Sequence, residues 1–273
     1  MVMPLGDEQP TRIVPVVTYG IIALNVLVFF VQQSRPESFT IAYAATPYEI
    51  THNVDIDRPV VVSHEVADQD VSGRVRLRPH EQVLPQGPVP FPVWFTLFTA
   101  MFMHGGLAHL FGNMLYLWIF GDNVEEVLGH VRYLLVYLAC GLAASVAQIA
   151  LAPDSLVPTL GASGAIAGVM GMYLIWFPSN QVRVLAFRTI TRMPALLVIG
   201  LWIVLQLVLG MGELSTAGQQ GGVAYAAHVG GATAGIIFGL VYRDRCRALS
   251  ERPSDLGWAP PRYRSPQTRY PYR

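Results

Sequence analysis

The stretch Gly161-Ala-Ser-Gly-Ala-Ile-Ala-Gly-Val-Met-Gly-Met-Tyr-Leu-Ile-Trp-Phe177, followed by Pro178, holds no charged residue and a single serine, Ser163. Gly161 and Gly164 flank that serine where a loop turns into an apolar helix. Glycine permits tight backbone geometry and close approach, and a helix N-terminus offers free N–H groups to a developing anion. By itself the pattern also suits a helix-capping serine. From Ser163 to Phe177 the chain advances 14 steps, about 21 Å at 1.5 Å per residue, against a hydrocarbon core of about 30 Å. If Phe177-Pro178 marks one membrane face, Ser163 lies well below the other.

The rest of the chain supports a membrane setting. Of 273 residues, 52% are apolar and 13% are charged, about half the charge of an ordinary soluble domain. All 18 basic residues are arginine, and they balance 18 acids to a net charge of zero, which gives no pointer to nucleic acid. No arginine falls between Arg78 and Arg132, between Arg132 and Arg183, or between Arg192 and Arg243. Each gap is roughly 50 residues, room for two spanning helices and a connection. A soluble globular enzyme is excluded.

Six apolar segments have spanning length: Val14–Val31, Gly106–Gly121, Tyr133–Leu151, Ser163–Phe177, Ala195–Gly210 and Ala224–Tyr242. The first is flanked by Arg12, Asp7 and Glu8 and has no small-residue cleavage site after it, so it reads as a spanning helix and not a signal peptide. Arg12, Arg132, Arg183, Arg188, Arg192, Arg243, Arg245 and Arg247 fall on one face. The opposite connections, Ala152–Leu160 and Met211–Gly222, have no basic residue. The positive-inside rule puts both termini in the cytoplasm.

The chain therefore divides into a cytoplasmic N-terminus (1–13), a first transmembrane helix (14–31) and a long extracytoplasmic or interfacial connection (32–105). Helices two to six (106–242) follow, and then a disordered cytoplasmic tail (243–273), rich in Pro, Arg and Tyr over Glu251–Arg273. Within the connection, Val60-Val61-Val62 and Val71–Leu77 are β-prone. Phe91–Met103 is aromatic and interrupted, as in a segment lying in the interface. Cys140 and Cys246 read as unpaired thiols.

Polar groups inside a bilayer are costly and by default functional. The segments hold Asn25, His109, Asn113, Gln148, Ser163, Gln206 and His228, and no mid-helix acid. A proton-coupled carrier or an aspartyl protease would want such an acid. A zinc protease would show His-Glu-x-x-His, which is missing, and no metal or cofactor is implied. Glu125-Glu126 resembles the paired glutamates of prenyl-peptide proteases, but it sits in a short connection with His130 where that pattern wants Arg.

His228 lies 14 steps before Tyr242, as Ser163 lies 14 before Phe177. Parallel helices would hold the two at matching depth. Below them, Gly164-x3-Gly168 and Gly231-x3-Gly235-x3-Gly239 are small-residue faces that let membrane helices approach closely. That approach would bring the imidazole to the hydroxyl. His109 and Asn113, at i and i+4, share a helix face and can look into the same cavity, where N–H donors would stabilise an oxyanion.

These residues resemble the rhomboid family of intramembrane serine proteases. The likeness covers roughly Pro92–Tyr242 and the first helix with Asn25. It rests on His104-x4-His109-x3-Asn113, on Gly161-Ala162-Ser163-Gly164, and on Ala227-His228-Val229-Gly230-Gly231-x3-Gly235. The resemblance implies an all-α, six-helix bundle with a short central fourth helix and a water-filled cavity open to the outside. It implies a Ser163–His228 dyad without a third acid, and an oxyanion hole of His109, Asn113 and the Ser163 N–H. His104 is then structural, and Gly161, Gly164, Gly168, Gly231 and Gly235 support the site. The implied substrates are single-span transmembrane proteins, cut near the outer end of their helix. Two positions depart from the pattern. An aromatic residue that some members stack on the histidine is here Ala167, and a Trp-Arg pair of the first connection reads Val93-Trp94-Phe95-Thr96.

Two other readings are weighed against this one: a rhomboid-like protein that binds membrane clients without cutting them, and a channel or carrier. All-arginine usage points to a GC-rich genome and a prokaryotic plasma membrane.

Overall fold

The computed structural model describes residues 2–9, 11–69, 75–186, 189–215 and 225–250. Of the tail expected to be disordered over 243–273, Arg243–Ser250 is helical, and Glu251–Arg273 lies outside the described residues, as do Arg74, Arg188 and most of the Met211–Gly222 connection.

Strand β1 (Val2–Asp7) leads into α1 (Val16–Gln33). Two short helices follow, α2 (Glu37–Ala42) and α3 (Pro47–His52), and then β2 (Val60–Gln69) and β3 (Val75–Leu84), paired antiparallel. The interfacial stretch is a 3₁₀ turn at Val93–Phe95, α4 (Thr96–Thr99) and a second 3₁₀ turn at Ala100–Phe102. Next come α5 (Leu107–Leu128), α6 (His130–Leu151) and α7 (Ser163–Trp176). Strands β4 (Gln181–Ala186) and β5 (Thr189–Pro194) precede α8 (Ala195–Ser215), α9 (Tyr225–Val241) and α10 (Arg243–Ser250).

Among the described residues, α1 and α6 are each long and apolar enough to cross a membrane. The number rises to four if two bent pairs each count as one span: Val93–Phe102 with α5, bent by 77°, and α9 with Arg243–Leu249, bent by 58°. α7 and the Ala195–Val208 part of α8 are shorter apolar helices.

A helix that is apolar on every side is stable only where every side is covered, and α7 meets that condition. From Gly164 to Tyr173, and again at Trp176, its residues are buried. It packs against α9, α6 and α5. α8 stands at the edge, with Leu197, Leu201, Val204 and Leu205 exposed. Small residues set the spacing of α7 to its neighbours. A Cβ at Gly231 would overlap the Gly164 carbonyl oxygen, and one at Gly235 would overlap that of Gly168. Both cysteines are buried, Cys140 against Gly168.

The helix ends differ from the sequence reading in one instructive place. The segment Gly106–Gly121, with Glu125-Glu126 in a connection, is in the structure a helix running on to Leu128. The helices are therefore not free of buried acid, because Glu125 is 0% exposed. Its oxygens accept the Val17 N–H at 2.9 Å, the Thr18 N–H at 2.8 Å and the Thr18 hydroxyl at 2.7 Å. His130 Nδ1 lies 2.5 Å from the same carboxylate. The charge is tolerated because it caps the start of α1, whose first N–H groups have no partner within the helix. Glu125→Ala strands these donors and is expected to cost about 3 kcal/mol. Thermal unfolding in detergent reads this as a lowered midpoint; an unchanged midpoint would remove Glu125 from the account of α1.

The same end of the bundle carries a sheet of order β1-β4-β5, antiparallel throughout. Asp7 Oδ2 ties it to the bundle, accepting from Asn123 Nδ2 at 2.9 Å and from the Tyr173 hydroxyl at 2.7 Å. Arg192 pairs with Glu8 at 2.7 Å, and Arg245 Nε donates to the Val127 carbonyl at 2.6 Å. With this sheet and the β2-β3 pair the chain is mostly helical and not all-α as expected, because the ends of the bundle are closed by strand pairing.

At the opposite end, the first connection is fastened to the loop that leads into α7. Ala45 and Thr159 exchange backbone hydrogen bonds of 2.9 Å in both directions. Tyr48 N–H donates to the Ser155 carbonyl at 3.0 Å, and the Thr51 hydroxyl to the Pro153 carbonyl at 2.9 Å.

Candidate active site

Ser163 is the first residue of α7, with Ala162 as its N-cap. Gly161, just before it, has φ +121°, a backbone region that glycine enters without a Cβ clash. The Gly161 N–H donates to the Ala100 carbonyl at 2.8 Å, so the interfacial segment holds the turn. The N–H of Ser163 is among the helix-start donors that have no intrahelical acceptor.

His228 stands near the start of α9, 7% exposed. Its Nε2 lies 2.7 Å from Ser163 Oγ, a strong hydroxyl–imidazole contact. The two residues are 65 apart in sequence and meet because the Gly164/Gly168 and Gly231/Gly235 faces bring α7 and α9 together immediately below them. The Ala227 N–H, in the first turn of α9, donates to Gln148 Oε1 of α6 at 3.3 Å.

The other ring nitrogen of His228 has a partner from α8. Gln206 Oε1 lies 2.8 Å from Nδ1, and Gln206 is itself 7% exposed. Trp202, one turn earlier, has its ring centroid 5.4 Å from that of His228 at 40°. The sequence reading counts Gln206 among the intramembrane polar residues without giving it a partner, and does not single out Trp202. Their i, i+4 spacing, which places both on one helix face, is the signal that was available.

His109 and Asn113 share a face of α5 but meet different groups. A Cβ on Gly161 would lie 2.9 Å from His109 Nε2 and Cε1, and 3.6 Å from Ser163 Oγ. His109 and the serine hydroxyl therefore flank the same point. The Gly105 N–H donates to His109 Nδ1 over a long 3.5 Å. An acceptor at Nδ1 leaves the ring proton on Nε2, on the Ser163 side. Asn113 Nδ2, by contrast, donates to His104 Nε2 at 2.9 Å. His104 is 2% exposed, and Gln32 of α1 brackets its backbone, at 3.1 Å to its N–H and 3.2 Å to its carbonyl. His104 thus links α1, the interfacial segment and α5.

A cavity of ≈ 30 Å³ adjoins Ser163, walled by Met101, Gly141, Ala144, Thr159 and Leu160. No group of three or more His, Cys, Asp or Glu suited to a metal occurs among the described residues.

Apolar helices, two of them long enough to cross a membrane, surround a part-buried serine–histidine contact. Residues 92–245 match the Rhomboid domain, more than half of the chain. The chain belongs to the rhomboid family, an integral membrane family. It is 41% identical over 109 residues to the protein named Rhomboid protease GluP of Bacillus subtilis, covering 40% of this chain and 20% of that one. Over 144 residues it is 31% identical to Rhomboid protein 1, mitochondrial, of Saccharomyces cerevisiae, covering 51% and 39%. Over 182 residues it is 30% identical to RHOMBOID-like protein 1 of Arabidopsis thaliana, covering 66% and 43%. The chain thus spans less than half the length of each of these relatives.

Proposed function

We propose that the chain is an intramembrane serine protease that cuts single-span membrane proteins near the outer end of their helix. The observation that carries this reading is the 2.7 Å contact between Ser163 Oγ and His228 Nε2. His228 takes the hydroxyl proton as Ser163 attacks the scissile carbonyl, and later gives it to the leaving amine. An acyl-enzyme remains, and water then hydrolyses it. The developing oxyanion is received by the Ser163 N–H and by His109 Nε2–H, beside Gly161. Each such donor is worth about 10²–10³-fold in rate. Asn113 donates one N–H of its amide to His104 and has the second to offer.

The membrane arrangement follows the same reading. Six helices span or partly span the bilayer, α7 is the short central one, and both termini lie on the cytoplasmic side with the β1-β4-β5 sheet. Ser163 then faces the outer half of the membrane. A helical substrate must unwind there, because its carbonyls are already hydrogen-bonded. Small and helix-weakening residues are therefore favoured at the cut.

The test uses full-length protein in lipid vesicles with a panel of single-span proteins, their products identified by mass. Wild type is expected to release two fragments meeting within or near the span, and Ser163→Ala to release none. Capture of the same proteins without cutting would establish the client-binding alternative instead.

A further inference from the structure

We propose that Gln206, seconded by Trp202, is the positioning residue for His228, in place of a carboxylate and in place of the aromatic residue absent at Ala167. This rests on the protease reading above and adds to it the device that sets the base.

Neutral imidazole carries one proton, on either nitrogen, and only the form with a bare Nε2 can accept from Ser163 Oγ. Nothing in a serine–histidine pair chooses between the two forms. The choice must come from whatever faces Nδ1, and that is Gln206 Oε1 at 2.8 Å. An amide oxygen only accepts. Its presence there requires the proton on Nδ1 and leaves Nε2 free at 2.7 Å from the hydroxyl. The assignment has a sharp alternative, because an amide turned by 180° would present its NH₂ to Nδ1. It would then hold the proton on Nε2, the form unable to act as base.

Burial supports a specific role. A glutamine amide removed from water is costly unless bonded, and this one is 7% exposed on a helix whose neighbouring residues Leu205 and Leu207 are exposed and apolar. The amide is retained on the inner face, where it meets His228. Trp202 lies one turn away on the same face and covers the ring at 5.4 Å. α7 has no side chain for this purpose, since Ala167 ends at Cβ and Tyr173 is engaged with Asp7 at 2.7 Å. Orientation of the base has moved from the serine helix to α8. Among the described residues, the other ionisable group near the His228 ring is His109 of α5, with Ser163, Trp202 and Gln206 as polar and aromatic neighbours. An amide selects the proton's position without adding a charge.

The experiment uses full-length protein, labelled with ¹⁵N-histidine, in detergent micelles. The His228 signals are identified by their loss in His228→Gln. Long-range ¹H–¹⁵N spectra of wild type are expected to show the proton on Nδ1. In Gln206→Leu that signature is lost, kcat falls about 100-fold and KM holds. In Gln206→Glu, which keeps an accepting oxygen, the signature and most of the rate lost in the leucine variant return. A wild-type spectrum with the proton on Nε2 would overturn the proposal, and so would an unchanged signature or kcat in Gln206→Leu. Should the leucine variant not fold, the wild-type spectrum and the glutamate variant still decide. The two readings fail separately. Wild type that cuts nothing but carries the proton on Nδ1 sinks the protease, while wild type that cuts with the proton on Nε2 sinks the role of Gln206.

Discussion

Gly235→Ala, one added methyl group, is expected to lower cleavage about 100-fold or more. The Cβ it introduces would overlap the carbonyl of Gly168, which is backbone and cannot swing aside. α9 and α7 must separate, and overpacking of this kind costs about 1–3 kcal/mol in stability, occasionally more. The separation acts where the two helices hold Ser163 and His228 together, and a shift of about 1 Å there is enough for the loss in rate. Gly200→Ala is the control. Its Cβ meets nothing within 4 Å, and alanine is the better helix former, so cleavage and unfolding midpoint should hold. Wild-type cleavage by Gly235→Ala would show that close packing of α7 on α9 does not set the site.

The second large effect is expected at His228. His228→Ala removes the base while leaving Ser163, its N–H and His109 in place. Cleavage of a single-span substrate should fall by about 10⁴-fold or more, as when one member of a catalytic set is deleted. The double variant with Ser163→Ala should be no worse, since the two act as a unit. Additive losses would mean that the residues act in separate steps.

The fold and the site were legible in the sequence to different depths. Long apolar runs mark the helices because a bilayer demands both length and apolarity. α6 and α7 begin or end within a few residues of the bounds read from composition. The end of α5 was hidden because Asp122, Glu125 and Glu126 look like loop residues. Glu125 is helical and buried only because α1 presents two N–H groups and a threonine hydroxyl to it. That partner lies more than 100 positions away. The β1-β4-β5 sheet was hidden for a similar reason, since β1 is short and its pairing partner is far along the chain. Ser163 and His228 were placed at matching depth by counting residues to two helix ends. Gln206 was visible as a polar residue without a purpose. Its contact depends on how α8 is rotated about its axis, and a mostly apolar helix gives little periodicity from which to read that rotation. For His109 and Asn113 the shared face was evident. That one turns to Ser163 and the other to His104 is a matter of side-chain direction, which spacing does not set.

The central claim, that Ser163 is the nucleophile and His228 activates it, meets its most direct test in covalent labelling. Full-length protein in detergent is treated with a fluorophosphonate, and the adduct is located by peptide mass. The account expects the adduct on Ser163, loss of cleavage in step with labelling, and no adduct in His228→Ala. Cleavage that survives in Ser163→Ala, or an adduct on another residue that tracks the loss of cleavage, would contradict it.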